Sequence, residues 1–299
     1  SAHRRRPGRI GLVRVFLTGA TGTVGREAHR ALAKRGADVR IGARAPSTLE
    51  GLPGSAAEVA QLDYEKRSVD PSIFQGVDAL FFMTPLIEEQ VERSKRVLDA
   101  AIDGGVEHIV RLSSRSAGWD QSSALRAWHR EIDDAVRTSG ASWTILRPCS
   151  FFQNFIHYQA ATIRSMAAII LPQDNGLIPY IDAADIGDAA ASCLLDSDAH
   201  QNQTYVLTGG RAYGAKGVAA EIGRVIGTPL SYISIEEEQA RDMMLQAGTP
   251  PWLVEAGLAV FAHARAGGEA EVDPALATII GRPATTLSEF VERNADAWK

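Results

Sequence analysis

Cysteine is scarce in this sequence. Cys149 and Cys193 are too few for a disulfide framework and lack the spacing of a metal-ligand pair, so the chain reads as a protein of a reducing cytoplasm. Histidine clusters are missing too: seven histidines are scattered singly, which argues against a metal site. Long apolar runs are also absent. The longest, MAAIIL at 166–171, falls far short of the roughly 18 residues that span a bilayer. No block of like charge stands out, and a net charge of −5 with both signs mixed along the chain excludes a nucleic-acid footprint. Residues 1–12 carry Arg4, Arg5 and Arg6 without the following apolar stretch of a secretion signal, and read as a disordered basic tail. What remains is a chain of 299 residues, long enough to bury a large core. Its partner is expected to be a small molecule rather than nucleic acid or membrane, and its oligomeric state is left open.

From residue 13 short β-branched runs alternate with segments of helical spacing, the pattern of βα units around a parallel sheet. VRVFLTG reads as a strand, followed by a helix from about Gly22 to Arg35. ADVRIGAR, AAEVAQLD and VDALFFM read as three further strands. A helix from Ile87 to Asp103, the strand GVEHIVRLSS, a helix through LRAWHREIDDAV and the strand ASWTILRP complete the series. Residues 13–150 are therefore expected to form a Rossmann-type, doubly wound α/β domain. Beyond Pro148 the alternation breaks down. Residues 151–299 read as a smaller, mostly helical substrate region interleaved with the core. SFFQNFIHYQAATIRSM is expected as one helix with an aromatic face. YIDAADIGDAAASCLL is expected as another, capped by Asp182 with Asp185 three residues on, and QTYVLTG as a strand. A helical hairpin over about 236–267, broken at GTPP, has the makings of a lid.

The strongest chemical signal is TGATGTVG, 18–25. Gly19, Gly22 and Gly25, with Thr21, Thr23 and Val24 between them, lie between an expected strand and an expected helix. There a glycine turn brings backbone N–H groups and a helix N-terminus onto a pyrophosphate. An NAD site places Asp or Glu at the end of the second strand for the adenosine ribose. This chain has GARAPS instead, and Arg44 can pair with a 2′-phosphate, which favours NADP(H); a solvated surface arginine is the plainer alternative. By position at strand ends, Asp63 is placed for the adenine and Met83, Thr84 and Pro85 for passing alongside the cofactor.

TGATGTVG, IGAR, QLD at 61–63, FFMTP at 81–85, HIVRLSS at 108–114, SWTILRP followed by FFQNF, and YIDAADIGDAAA at 180–191 resemble, in order, the blocks of the NmrA-like, atypical branch of the short-chain dehydrogenase/reductases. The resemblance covers nearly the whole chain. It implies NADP(H), with Ser113, His129 and Pro148 beside the cofactor, and a substrate pocket lined by Phe151, Phe152, Phe155 and Tyr158. Active members of the wider superfamily carry Tyr-x-x-x-Lys on the helix before the sixth strand, the tyrosine protonating the substrate oxygen. Here Leu125 and His129 stand at those places, with Asp133 four residues on. His129 is expected to contact the ribose before serving as an acid. The superfamily serine aligns on Ser114, with Ser113 and Ser116 as rivals. The reading is an NADPH-dependent ketoreductase acting on an aromatic, polyketide-like molecule of the angucyclinone kind, whose own hydroxyl supplies the proton. A non-enzymatic NADP(H) sensor and a quinone or alkene reductase are the alternatives.

Overall fold

Val15, Phe16 and Leu17 are fully buried, and so is every residue of the run ALFF at 79–82, so these strands are covered on both faces as a parallel sheet requires. The computed structural model describes residues 13–45, 58–119 and 123–299. The basic tail at 1–12, Pro46 and Ser47 of GARAPS, and Ala56 and Ala57 at the start of the third expected strand lie outside the described residues.

Seven parallel strands form the main sheet: β1 (Arg14–Leu17), β2 (Asp38–Ala43), β3 (Glu58–Gln61), β4 (Ala79–Phe82), β5 (His108–Leu112), β6 (Ser142–Pro148) and β8 (Gln203–Leu207), in the order β3-β2-β1-β4-β5-β6-β8. The connection reverses direction between β1 and β4, the switch point at which doubly wound sheets bind ligands. Helices α1 (Thr23–Lys34) and α6 (Ala183–Leu195) pack against each other on one face, while α2 (Gln90–Asp103) and α3 (Ala124–Arg137) cover the other. The Rossmann α/β fold is as expected. The seventh strand and α6 come from beyond residue 150, so the C-terminal half completes the sheet and does not stand apart from it.

The aromatic helix is not continuous. It splits into α4 (Asn154–His157) and α5 (Ala160–Met166), and MAAIIL contributes β7 (Ala168–Leu171), which pairs in parallel with β9 (Ser231–Ser234) in a separate small sheet. Helix α7 (Ser197–His200) leads into β8, α8 (Ala215–Ile226) packs on β7 and β9, and α12 (Leu287–Arg293) packs on α8. The hairpin is present as α9 (Glu237–Gln246) and α10 (Pro251–Arg265), and α10 lies against α3. Between α10 and α12, α11 (Ala275–Ile280) returns to α6. Asp182 caps α6 through the Ala184 N–H (3.0 Å). Asp185 does not join that cap: it is fully buried and accepts from the Thr285 N–H (2.7 Å) and hydroxyl (3.0 Å), tying α6 to the C-terminal segment. No helix among the described residues is long and apolar enough to cross a membrane.

Candidate active site

The glycine turn has the shape of a phosphate cradle. Gly19 has φ +67°, a left-handed conformation that disfavours side chains, and a Cβ there would also come within 2.9 Å of Met83 Cε. At Gly25 a Cβ would fall 1.9 Å from the Gly19 carbonyl oxygen, so only glycine lets the first turn of α1 close on the loop. Gly22 caps α1 in an extended conformation with no capping side chain, leaving the helix N-terminus to face a ligand. These features fit a dinucleotide pyrophosphate. Val24 is buried and anchors the helix, while Thr21 is exposed and Thr23 is half-buried with its hydroxyl 3.4 Å from His157 Nε2.

Met83, Thr84 and Pro85 are half-buried at the end of β4. The Met83 backbone is fixed from two sides: the Thr18 hydroxyl accepts its N–H (2.8 Å), and the Tyr64 hydroxyl donates to its carbonyl (2.8 Å). Thr18 opens the glycine motif, whereas Tyr64 was not marked by the sequence. Both fix the floor of the β1/β4 crevice. Arg44 follows β2 with its side chain mostly exposed and only a loose approach to Glu65 (3.8 Å), a weak surface pairing that a phosphate could displace. Asp63 accepts the Glu65 N–H (3.0 Å), which turns the chain out of β3.

The end of the sheet at β5 and β6 holds a buried charged cluster centred on Asp133 of α3. Asp133 Oδ2 accepts from Arg147 Nη2 (2.9 Å) and Nε (3.2 Å) and from the Ser113 hydroxyl (3.0 Å). Arg111 of β5 lies 3.9 Å from Oδ1 and donates to His129 Nδ1 (3.2 Å). Because a guanidinium can only donate, His129 carries its proton on Nε2. Two guanidinium groups share one carboxylate, so the cluster keeps an excess positive charge. Burial, with Arg111 and Arg147 adding to it, pushes the His129 imidazole down to about 3. It is therefore neutral at working pH. With Nδ1 occupied, such an imidazole can donate only through Nε2–H, which suits the expected ribose contact ahead of the acid role.

Of the three serines, Ser113 is engaged by Asp133 and Ser116 is buried. Ser114 is half-buried, its hydroxyl 2.9 Å from that of Ser116. Pro148 closes β6, buried beside them. The four aromatic residues expected to line a substrate pocket fall in different environments. Phe152 and Phe155 are 1% and 2% exposed and belong to a second core, where Phe152 stacks on Phe290 (5.1 Å) and Phe155 meets Tyr180 edge-on (5.0 Å). Apolar surface on α8 and α12 takes up most of both rings, and Phe152 also borders a cavity with Thr208, Arg211 and Tyr213. Phe151 is half-buried against the first core, and Tyr158 projects into solvent. The rings near the serine loop are others: Trp119 lies under the Arg126 guanidinium (4.3 Å) and against His263 (4.1 Å), and Trp128 of α3 meets Trp252 of α10 edge-on (5.3 Å). Among the described residues no group of three His, Cys, Asp or Glu side chains is gathered as a metal would need.

His108, at the opposite end of β5, is also pushed down, to about 4, by burial. Below its ordinary value an unfolded histidine takes a proton that the folded chain refuses at both positions. Stability should therefore fall on acidification from about pH 7 to about pH 5. Urea midpoints measured across that range for the wild type and His129→Gln check this. The variant should show a shallower acid limb, and parallel curves would contradict the buried neutral state.

A parallel sheet with a glycine cradle at its switch point defines a dinucleotide-binding protein of the Rossmann class. The model of the NmrA-like family matches residues 13–290, and the chain belongs to that family. It is 31% identical over 284 residues to an NAD(P)H azoreductase of Xenophilus azovorans, covering 95% of this chain and 99% of that protein. To a (4-alkanoyl-5-oxo-2,5-dihydrofuran-3-yl)methyl phosphate reductase of Streptomyces griseus it is 33% identical over 285 residues, covering 95% and 99%. Among solved structures it superposes on an NADPH-dependent quinone oxidoreductase of Escherichia coli complexed with NADPH. The TM-score is 0.83 at 25% identity, over 94% of this chain and 99% of that one.

Proposed function

We propose that this protein is an NADPH-dependent reductase that delivers hydride to the carbonyl carbon of a hydrophobic, aromatic, polyketide-like small molecule. The observation that carries the reading is the pairing of an intact glycine cradle with a buried, net-positive Arg111–Asp133–Arg147 cluster at the ends of β5 and β6. NADP(H) supplies the hydride when bound. Residues 19–25 and the N-terminus of α1 hold its pyrophosphate, Arg44 its 2′-phosphate, and Met83, Thr84 and Pro85 its passage over β4. His129 Nε2–H holds the ribose, its imidazole fixed by Arg111. The cluster's excess positive charge favours negative charge developing on a substrate oxygen. Helix α3 offers no acid, since Leu125 cannot ionise and His129 is neutral, so a hydroxyl beside the carbonyl on the substrate serves as proton source. That same lack of an acid favours a second reading, reduction of quinones or related conjugated acceptors, which demand less of a protein acid. The relatives named as azoreductase and quinone oxidoreductase support this range.

The test is NADPH oxidation followed with hydroxylated aryl ketones and quinones, for the wild type and Arg44→Ala. Turnover should require NADPH, and Arg44→Ala should raise the KM for NADPH roughly tenfold or more while leaving NADH nearly unchanged, as loss of a charge-assisted phosphate contact implies. No turnover with any acceptor, together with equal affinity for the reduced and oxidised cofactor, would instead point to a sensor.

A further inference from the structure

One buried acid has no place in this scheme. Glu269 lies in the segment that follows α10, is 1% exposed, and is tied to the turn after β5 through Arg115. Arg115, which opens the short helical turn after the serine loop, donates to the backbone carbonyls of Glu269 (3.3 Å) and Glu271 (3.2 Å), and its guanidinium stands 3.6 Å from Glu269 Oε2. Oε1 is buried with no hydrogen-bond partner. A carboxyl held at one oxygen and unmatched at the other, at the carboxyl end of a parallel sheet, is set up to meet a ligand.

We propose that Glu269 is the protein's own proton donor for carbonyl substrates that bring no neighbouring hydroxyl. This rests on the reductase reading and extends it to a second class of substrate. As hydride reaches the carbonyl carbon from the reduced nicotinamide, the C=O π pair moves to oxygen. That oxygen takes the proton of Glu269 Oε1, the product is the alcohol with oxidised NADP, and the resulting carboxylate stays beside Arg115 until solvent reprotonates it. The groups around it suit the task. Burial raises Glu269 to about 7, against the lowering influence of Arg115 and of Arg126 on α3. The buried Cys149 after β6 and Tyr180 before α6 stay neutral, because burial pushes both up. His263 of α10 is pushed down by burial and by Arg126 and Arg115.

The experiment compares an aryl ketone flanked by a hydroxyl with its methyl ether, using NADPH-loaded wild type, Glu269→Gln and Glu269→Asp. The wild type should reduce both. Glu269→Gln should lose roughly 100-fold or more in kcat on the ether, the scale of a lost general acid, and little on the hydroxylated ketone. Its NADPH affinity by fluorescence titration should be unchanged, and Glu269→Asp should recover part of the loss. In the wild-type protein the infrared carboxyl band should titrate near 7 and vanish in Glu269→Gln. A wild type that reduces only the hydroxylated ketone, equal loss on both substrates, or a carboxyl already ionised at acid pH overturns the proton-donor assignment and leaves the reductase reading standing. A wild type that turns over neither substrate nor any quinone overturns both.

Discussion

Gly25→Ala is expected to abolish NADPH binding while leaving most of the sheet folded. The new methyl carbon would sit 1.9 Å from the Gly19 carbonyl oxygen and 2.6 Å from its carbonyl carbon, both backbone atoms that no side-chain rotation can clear. Either α1 must retreat from the loop or the loop must open, and in both cases the N–H groups of the helix N-terminus leave the pyrophosphate. Loss of one turn's geometry therefore costs all of its contacts together. Fluorescence titration with NADPH should show at least a 100-fold weaker Kd, roughly 2.7 kcal/mol or more. Far-ultraviolet circular dichroism should remain close to that of the wild type. A variant with unchanged affinity would mean that α1 has room the packing does not show.

Asp133→Ala is expected to be among the most destabilising single changes in the chain. Asp133 is fully buried and is the shared acceptor for Arg147 and Ser113, with Arg111 close by. Its removal leaves two guanidinium groups facing each other without a counter-charge. Arg111 is itself fully buried and already lowered to about 10, mainly by burial, with Asp133 the chief group opposing that shift. Breaking a buried ion pair at one partner costs about 3–5 kcal/mol, and here a second cation adds to the strain. Asp133→Asn should be milder, because it keeps an oxygen for the Ser113 hydroxyl and one arginine N–H. Urea unfolding checks the order: a loss under about 1 kcal/mol for alanine would mean that water or movement of Arg147 relieves the cluster.

Cofactor specificity and site chemistry were legible to different degrees, and for different reasons. TGATGTVG could be read because its function depends on local backbone shape, and the three glycines with a flanking strand and helix encode that shape within eight residues. The missing tyrosine and lysine were visible at Leu125 and His129 through the family resemblance, which says where that pair should stand. What the sequence could not give was the state of His129, which depends first on burial and then on Arg111 and Arg147 arriving from two strands. The surroundings of the aromatic residues after β6 could not be read, because helical spacing says that a face is apolar but not what covers it. Phe152 and Phe155 found α8 and α12 and went into a core, whereas Trp119, Trp128 and Trp252 came together around the serine loop and the hairpin.

Glu269 is the extreme case. In AGGEAEVD it sits among small and charged residues, as a solvated glutamate would, and no neighbour in the sequence signals burial. Its partner Arg115 lies more than half the chain away. By itself, then, the sequence determined the order of the βα units and the phosphate turn, because each is written in residues close together along the chain. Tertiary structure alone decided which aromatics are core, which ionisable groups are shifted and that Glu269 is buried beside Arg115. Burial and charge pairing are properties of what packs against a residue, and that is set by segments the sequence places far apart.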